Sequence, residues 1–314
     1  MSRTNISVLL ATALLGVLLW IVISIVRDIA NAPDTPLPQP AEVVAIDPAL
    51  PRLATQIQLE DWLIQQDHPV QSVNTYRDWL EQRGFLASEA MPNFTGSFRS
   101  SATYVDQDGA TLLQLAGQGD LGALHALAER SLETDPLAAL EWYDQAIING
   151  SIFAMVRSSD LLATLADPGL SDFVSDPVWQ AALNTVQNTG PAALERALAW
   201  AVAAVTFGGY AVLDQGLAQR IHTLSSQMRP ADIDRACELA QEYVLDTAAT
   251  RRAKGGAVFS TQSPPLAFSV AQPETVIPCD IPVLPLVSLA ECSRHAFVGP
   301  EGNLNTAWLC TTDE

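Results

Sequence analysis

The sequence predicts an all-α protein built from short helices packed side by side. Three observations carry that expectation. The stretch Thr111–Ala154 holds start and stop signals for two consecutive helices. Its apolar residues recur at helical spacing. Its small residues interleave with large ones, so neighbouring helices can approach closely and interdigitate. With 48% apolar and 16% charged residues over 314 positions, the chain also has the material for a real core.

From the N-terminus, Ile6–Val26 is an uninterrupted uncharged run. As a helix it would be about 31 Å long, which matches the hydrocarbon core of a bilayer. Residues 1–30 are therefore expected to form an uncleaved membrane anchor, and the lipid bilayer is the first partner expected. Ala30-Asn31-Ala32 imitates a signal-peptidase site, but the apolar run is longer than a signal h-region and Pro33 would follow the cut. Arg3 and Arg27 nearly balance across the run, so charge alone barely orients it. A five-residue tail ahead of an anchor and a large acidic remainder is the layout of a single-pass inner-membrane protein with its bulk in the periplasm. Residues 31–55 form a spacer, with six prolines between Asn31 and Pro51 that prevent helix and favour extended chain.

Residues 56–110 read as two amphipathic helices and a loop. Leu59, Trp62 and Leu63 mark one helix, Tyr76, Trp79 and Leu80 the other, and Gly84 stops the second. Such a pair is expected to cover the open end of a helix stack. Between Ala87 and Asp108 the pattern breaks. Asp106-Gln107-Asp108-Gly109 has neither the third oxygen ligand nor the bidentate Glu of a calcium loop, so Asp108 is expected to cap a helix instead.

The central stretch opens at Asp120, placed to cap a helix whose apolar face is Leu121, Leu124, Ala128 and Leu132. Asp135 caps the next helix, with Pro136 in its first turn, where a missing N–H does no harm. That helix ends at Asn149-Gly150, which tolerates left-handed backbone, and Ser151 can cap a third. The spacing of Gly119, Asp120, Ala123, Leu127 and Ala128, then Ala138, Trp142, Tyr143, Ala146, Gly150 and Ala154, resembles the SEL-one-like repeat family, relatives of the tetratricopeptide repeats. The resemblance is specific over one unit. It implies that residues 111–250 form a right-handed α/α solenoid of degenerate repeats that binds proteins rather than catalysing a reaction. The lead-in before the repeat resembles that of membrane-anchored members from Gram-negative bacteria. A second, degenerate copy follows at a constant shift of 58 residues, where Leu140, Trp142, Ala146 and Gly150 fall on Leu198, Trp200, Ala204 and Gly208. Repeats of this kind have periods of about 34 to 47 residues, so an insertion is expected in 166–177.

Further helices are expected over Pro177–Val186, Pro191–Val205, Val212–Met228 and Ala231–Thr247, the last two facing each other through Leu217, Ile221 and Leu224 against Ile233, Cys237, Leu239 and Ala240. Arg251, Arg252 and Lys254 form the only basic cluster, at a carbonyl end where cations are favoured. From 251 to 314 frequent prolines rule out a long helix, and an irregular tail of short extended pieces is expected. Three of the four cysteines lie there. In an oxidising compartment, disulfides would fasten it. Three pairings are possible, and the expected one joins Cys237 to Cys279 and Cys292 to Cys310.

Chemistry is sparse. The intervals between the tail cysteines, twelve and seventeen residues, do not suit zinc. His68, His125, His222 and His295 form no metal motif, and no nucleophile, phosphate-loop or metalloprotease pattern occurs. No catalytic residue, cofactor or metal is therefore expected, and the protein is not expected to be an enzyme. Thirty-five acidic against sixteen basic residues, a net charge of −19, would repel phosphate backbones and argue against nucleic acid. The function expected is a membrane-anchored interaction scaffold gripping a protein or peptide in a groove that presents aromatics such as Tyr143. The alternatives are a structural subunit of an inner-membrane complex and an envelope enzyme acting on cell-wall glycan.

Overall fold

Helix caps set the architecture, because the start signals at Asp108, Asp120, Asp135 and Ser151 are all used. A computed structural model describes residues 49–53, 55–85, 104, 106–188, 191–209, 212–213, 215–256, 266–268, 277–280, 292–299, 302 and 304–310. The chain divides into residues 1–47 and 48–314, and every described residue lies in the second part. The expected anchor Ile6–Val26 and most of the proline-rich spacer lie outside the described residues. Among the described residues, no helix is long and apolar enough to cross a membrane.

The protein is mostly helical. The helices are α1 (Gln56–Gln65), α2 (Ser72–Glu81), α3 (Gly109–Gly117), α4 (Leu121–Thr134), α5 (Pro136–Asn149) and α6 (Ile152–Ala166), followed after a 3-10 turn at Pro168–Asp172 by α7 (Pro177–Gln187), α8 (Pro191–Gly208), α9 (Gln215–Ser226) and α10 (Pro230–Ala253). The carboxylates of Asp108, Asp120 and Asp135 and the hydroxyl of Ser151 accept backbone N–H groups at the starts of α3, α4, α5 and α6 at 2.8–3.1 Å. Each such cap stabilises by about 1 kcal/mol. Gly150 ends α5 at φ 112°, a conformation open to glycine and strained for other residues. Fifty-eight residues on, where the sequence suggested a second copy, the left-handed residue is Gly209 (φ 57°), while Gly208 is still helical and is packed against Val212.

Helices α3 to α7 pack in chain order, each on the next. The centre is α8, where Ala197, Leu198, Ala199 and every residue from Ala201 to Val205 are buried. A helix apolar on all sides must be covered on all sides. Here α6 and α10 provide most of that cover, with α9 on a third side. Trp200 of α8 stacks on Tyr243 of α10, ring centroids 4.1 Å apart. The principal neighbour of α10 is therefore α8, whereas the sequence pointed to α9, and α10 also reaches back to α5. The apolar stripe of α9 is buried and that of α10 is half-buried apart from Ala240, and the buried run of α8 offers more apolar surface to α10 than α9 can.

The N-terminal pair docks through the carbonyl of Arg83, just beyond α2, which accepts the N–H groups of Ile152 (2.9 Å) and Phe153 (3.3 Å) at the start of α6. Phe85 packs edge-on to Phe153 at 6.1 Å. The other side of the pair meets a sheet.

That sheet is a correction. The region from 251 onward, expected to be an irregular tail, is helical to Ala253 and then contributes β1 (Leu266–Phe268), β2 (Cys292–Val298) and β3 (Leu304–Cys310) in the antiparallel order β1-β3-β2. The hairpin closes through a hydrogen bond from the Gly302 N–H to the Gly299 carbonyl (3.0 Å), with Gly302 at φ 79°. Val298 also exchanges hydrogen bonds with Pro51 and Leu53 at 2.8 and 2.9 Å, and Trp62 of α1 meets His295 edge-on at 5.5 Å. Two disulfides are present, Cys237–Cys279 and Cys292–Cys310, the second between directly opposed residues of β2 and β3. The boundary between the first two folded segments also shifts, since Gly109 and Ala110 already belong to α3.

Candidate functional site

The repeat-signature residues are packing residues. Ala123, Ala128, Ala146 and Ala154 are fully buried. Gly119 takes a left-handed turn (φ 84°) against the side chain of Asn149. Leu127, Ala138 and Trp142 are half-buried. Tyr143, expected as an exposed groove aromatic, has 0% of its surface exposed, and this corrects the groove assignment. Its position on α5 faces α4, where its hydroxyl donates to the Glu129 carboxylate at 2.8 Å.

That carboxylate begins a network along the outer face of α6. Arg157 donates to both Glu129 oxygens at 3.1 and 3.2 Å and approaches Asp160, one helical turn on, at 3.5 Å. The other oxygen of Asp160 pairs with Arg220 of α9. Paired, half-buried charges of this kind hold side chains in register more than they add stability. Here they bridge α4, α6 and α9.

Two openings flank this network on the α6 face. A small cavity of about 190 Å³ lies between Leu132, Tyr143, Arg157, Asp160, Leu161 and Trp179, whose indole N–H is held by the Leu132 carbonyl at 3.0 Å. A larger open cleft of about 710 Å³ runs from the end of α6 to α9, and Thr164 lines both. Its floor is aliphatic, from Ala163, Ala166, Leu170, Leu194 and Leu224, and its rim carries Gln219 and Thr223 one turn apart on α9, Gln227 just beyond the end of that helix, and Asp167.

Among the described residues two serine–histidine contacts lie elsewhere, one of them between Ser293 Oγ and His295 Nε2 on β2 at 2.8 Å. Nε2 of His125 and Oγ of Ser151 are 2.7 Å apart, but both side chains have 0% exposure, and Oγ also accepts the Ala154 N–H. Burial pushes the imidazole down to about 3, so it is neutral at ordinary pH. No substrate can reach this pair, and its role is to join α4 to the start of α6. His222 is exposed on α9, while His68 and His295 lie at the α1–sheet contact. Among the described residues no three His, Cys, Asp or Glu side chains converge as a metal site would require. The basic cluster at the end of α10 divides its work, since Arg251 is turned onto the carbonyl end of α5.

Sequence reasoning missed the cleft and the four-charge network. Arg157 and Asp160 were legible as an i, i+3 pair, but Glu129 and Arg220 come from other helices, and helix order does not show which faces meet. No family model matches the chain, and neither a known protein nor a solved structure is significantly similar to it.

Proposed function

We propose that this protein is an interaction module, not an enzyme, whose helices are degenerate SEL-one-like units stacked as a right-handed solenoid and whose cleft holds a segment of a partner protein. The open cleft between α6, α8 and α9 carries the reading. Its aliphatic floor, polar rim and about 710 Å³ suit a few residues of another chain. The α4–α5 pair, linked by the single residue Asp135, supports the repeat assignment. The uncharged run Ile6–Val26 supports a single-pass anchor in the inner membrane. The two disulfides support placing the folded part in the periplasm, where such bonds persist.

Crosslinking in cells tests this. A photoreactive residue replacing Thr223 on the rim should give a discrete protein adduct, lost when Ala163→Trp fills the cleft. The same residue replacing Gln241 on α10 should not give it. The absence of an adduct at Thr223, or an adduct unchanged by Ala163→Trp, would refute the proposal.

A further inference from the structure

We infer that the segment held in the cleft is an extended, aliphatic stretch of a partner protein with a lysine or arginine at the Asp167 end; the inference rests on the interaction reading above. The floor of Ala163, Ala166, Leu170, Leu194 and Leu224 has no charge to match a polar side chain. Along the rim, Gln219 and Thr223 lie one turn apart on α9, where the Gln219 amide donates to the Thr223 hydroxyl at 3.4 Å, and Gln227 follows just beyond the helix end, so a row of polar groups edges the cleft and suits the backbone of an extended peptide.

Charge decides the flank. The cleft's arginine, Arg220, is paired with Asp160, and Arg157 is paired with Glu129, so these four groups cancel. Asp167 also lines the cleft, and its carboxylate accepts the Gly169 N–H at 2.8 Å. An amide brings no charge, so that bond leaves the negative charge in place. Over the whole chain, 35 acidic residues outweigh 16 basic ones. A surface of this sign draws cationic segments and repels anionic ones, including phosphate groups of lipid and nucleic acid.

The test uses the full chain in zwitterionic nanodiscs, with empty nanodiscs subtracted. Two fluorescent peptides share one extended aliphatic sequence and end in two lysines or in two glutamates. Fluorescence anisotropy should show the lysine peptide binding at least about fivefold tighter, as one or two partly screened ion pairs allow. The preference should shrink as salt rises from about 0.1 M to about 1 M, where the Debye length falls from about 10 to about 3 Å. Asp167→Asn keeps an oxygen for the Gly169 N–H and should weaken lysine-peptide binding about threefold. Ala163→Trp should abolish binding. Equal binding of both peptides, blocked by Ala163→Trp, would overturn the basic flank and leave the interaction reading standing. Binding of neither peptide would overturn the inference, and if the Thr223 adduct were missing too, the reading beneath it would also fall.

Discussion

Arg251, in the last turn of α10, lies over Gly150, the residue that ends α5. Its guanidinium also points to the Ile148 carbonyl at 3.5 Å, across 103 positions of sequence. The carbonyl end of a helix is electron-rich, so a cation there is favourable. A Cβ on Gly150 would collide with that guanidinium, and the φ of 112° would strain any residue that carries one. Gly150→Ala should therefore destabilise the protein by about 1–3 kcal/mol, read from urea unfolding. A midpoint equal to that of the parent would mean that α10 does not lean on this turn.

Tyr143 separates packing from binding. Tyr143→Phe removes only the hydrogen bond to Glu129 and should cost about 0.5–1.5 kcal/mol. Tyr143→Ala opens the junction of α4 and α5 and should cost about 3–5 kcal/mol. Because the ring is buried, Tyr143→Phe should leave the Thr223 adduct intact, and its loss would show that the hydroxyl meets the partner.

His125 makes stability depend on pH. Its folded value of about 3 lies below the ordinary histidine value of 6.5. Protonation thus favours the unfolded chain, so the contribution of this group is complete above about pH 6.5 and is lost as pH falls from there towards 3. The slope for one proton is about 1.4 kcal/mol per pH unit. Urea unfolding between pH 7 and pH 4 should show a shallower pH dependence for His125→Gln than for the parent. His68, also lowered by burial and by His295, acts in the same direction and remains in both proteins.

Asp232 covers the acid end. Arg229 holds its carboxylate from 2.9 Å and Arg235 from 2.5 Å, keeping it down at about 2. A carboxylate so lowered contributes above its unfolded value near 4 and loses that contribution as pH falls through 2. Asp232→Asn should move the acid-unfolding midpoint to higher pH, and an unmoved midpoint would refute a stabilising role for this cluster at the start of α10.

The disulfides close segments of 42 and 18 residues. On chain-entropy grounds each stabilises by about 3–4 kcal/mol. Cys292→Ser with Cys310→Ser should lower the melting temperature and raise hydrogen exchange in β2 and β3 before α4 to α6. Uniform loss of protection would instead show that the sheet and the helices unfold together.

What the sequence determined by itself is local. Asp120, Asp135, Pro136, Gly150 and Ser151 mark where helices begin and end, because a cap, a missing N–H or a left-handed residue acts within a few positions of itself. The mostly helical character and the buried faces follow from the same short-range periodicity. The tertiary structure decided what lies between helices. It turned Tyr143 inward onto Glu129, gave α10 to α8 rather than α9, and joined Glu129, Arg157, Asp160 and Arg220 of three helices in one network. It also paired β2 with β3, strands whose partners become visible only when the 299–302 turn closes. Periodicity tells a helix which face is apolar, but every apolar face is chemically alike. Which two faces meet depends on shape and on how much surface each pairing buries, and those belong to the whole chain.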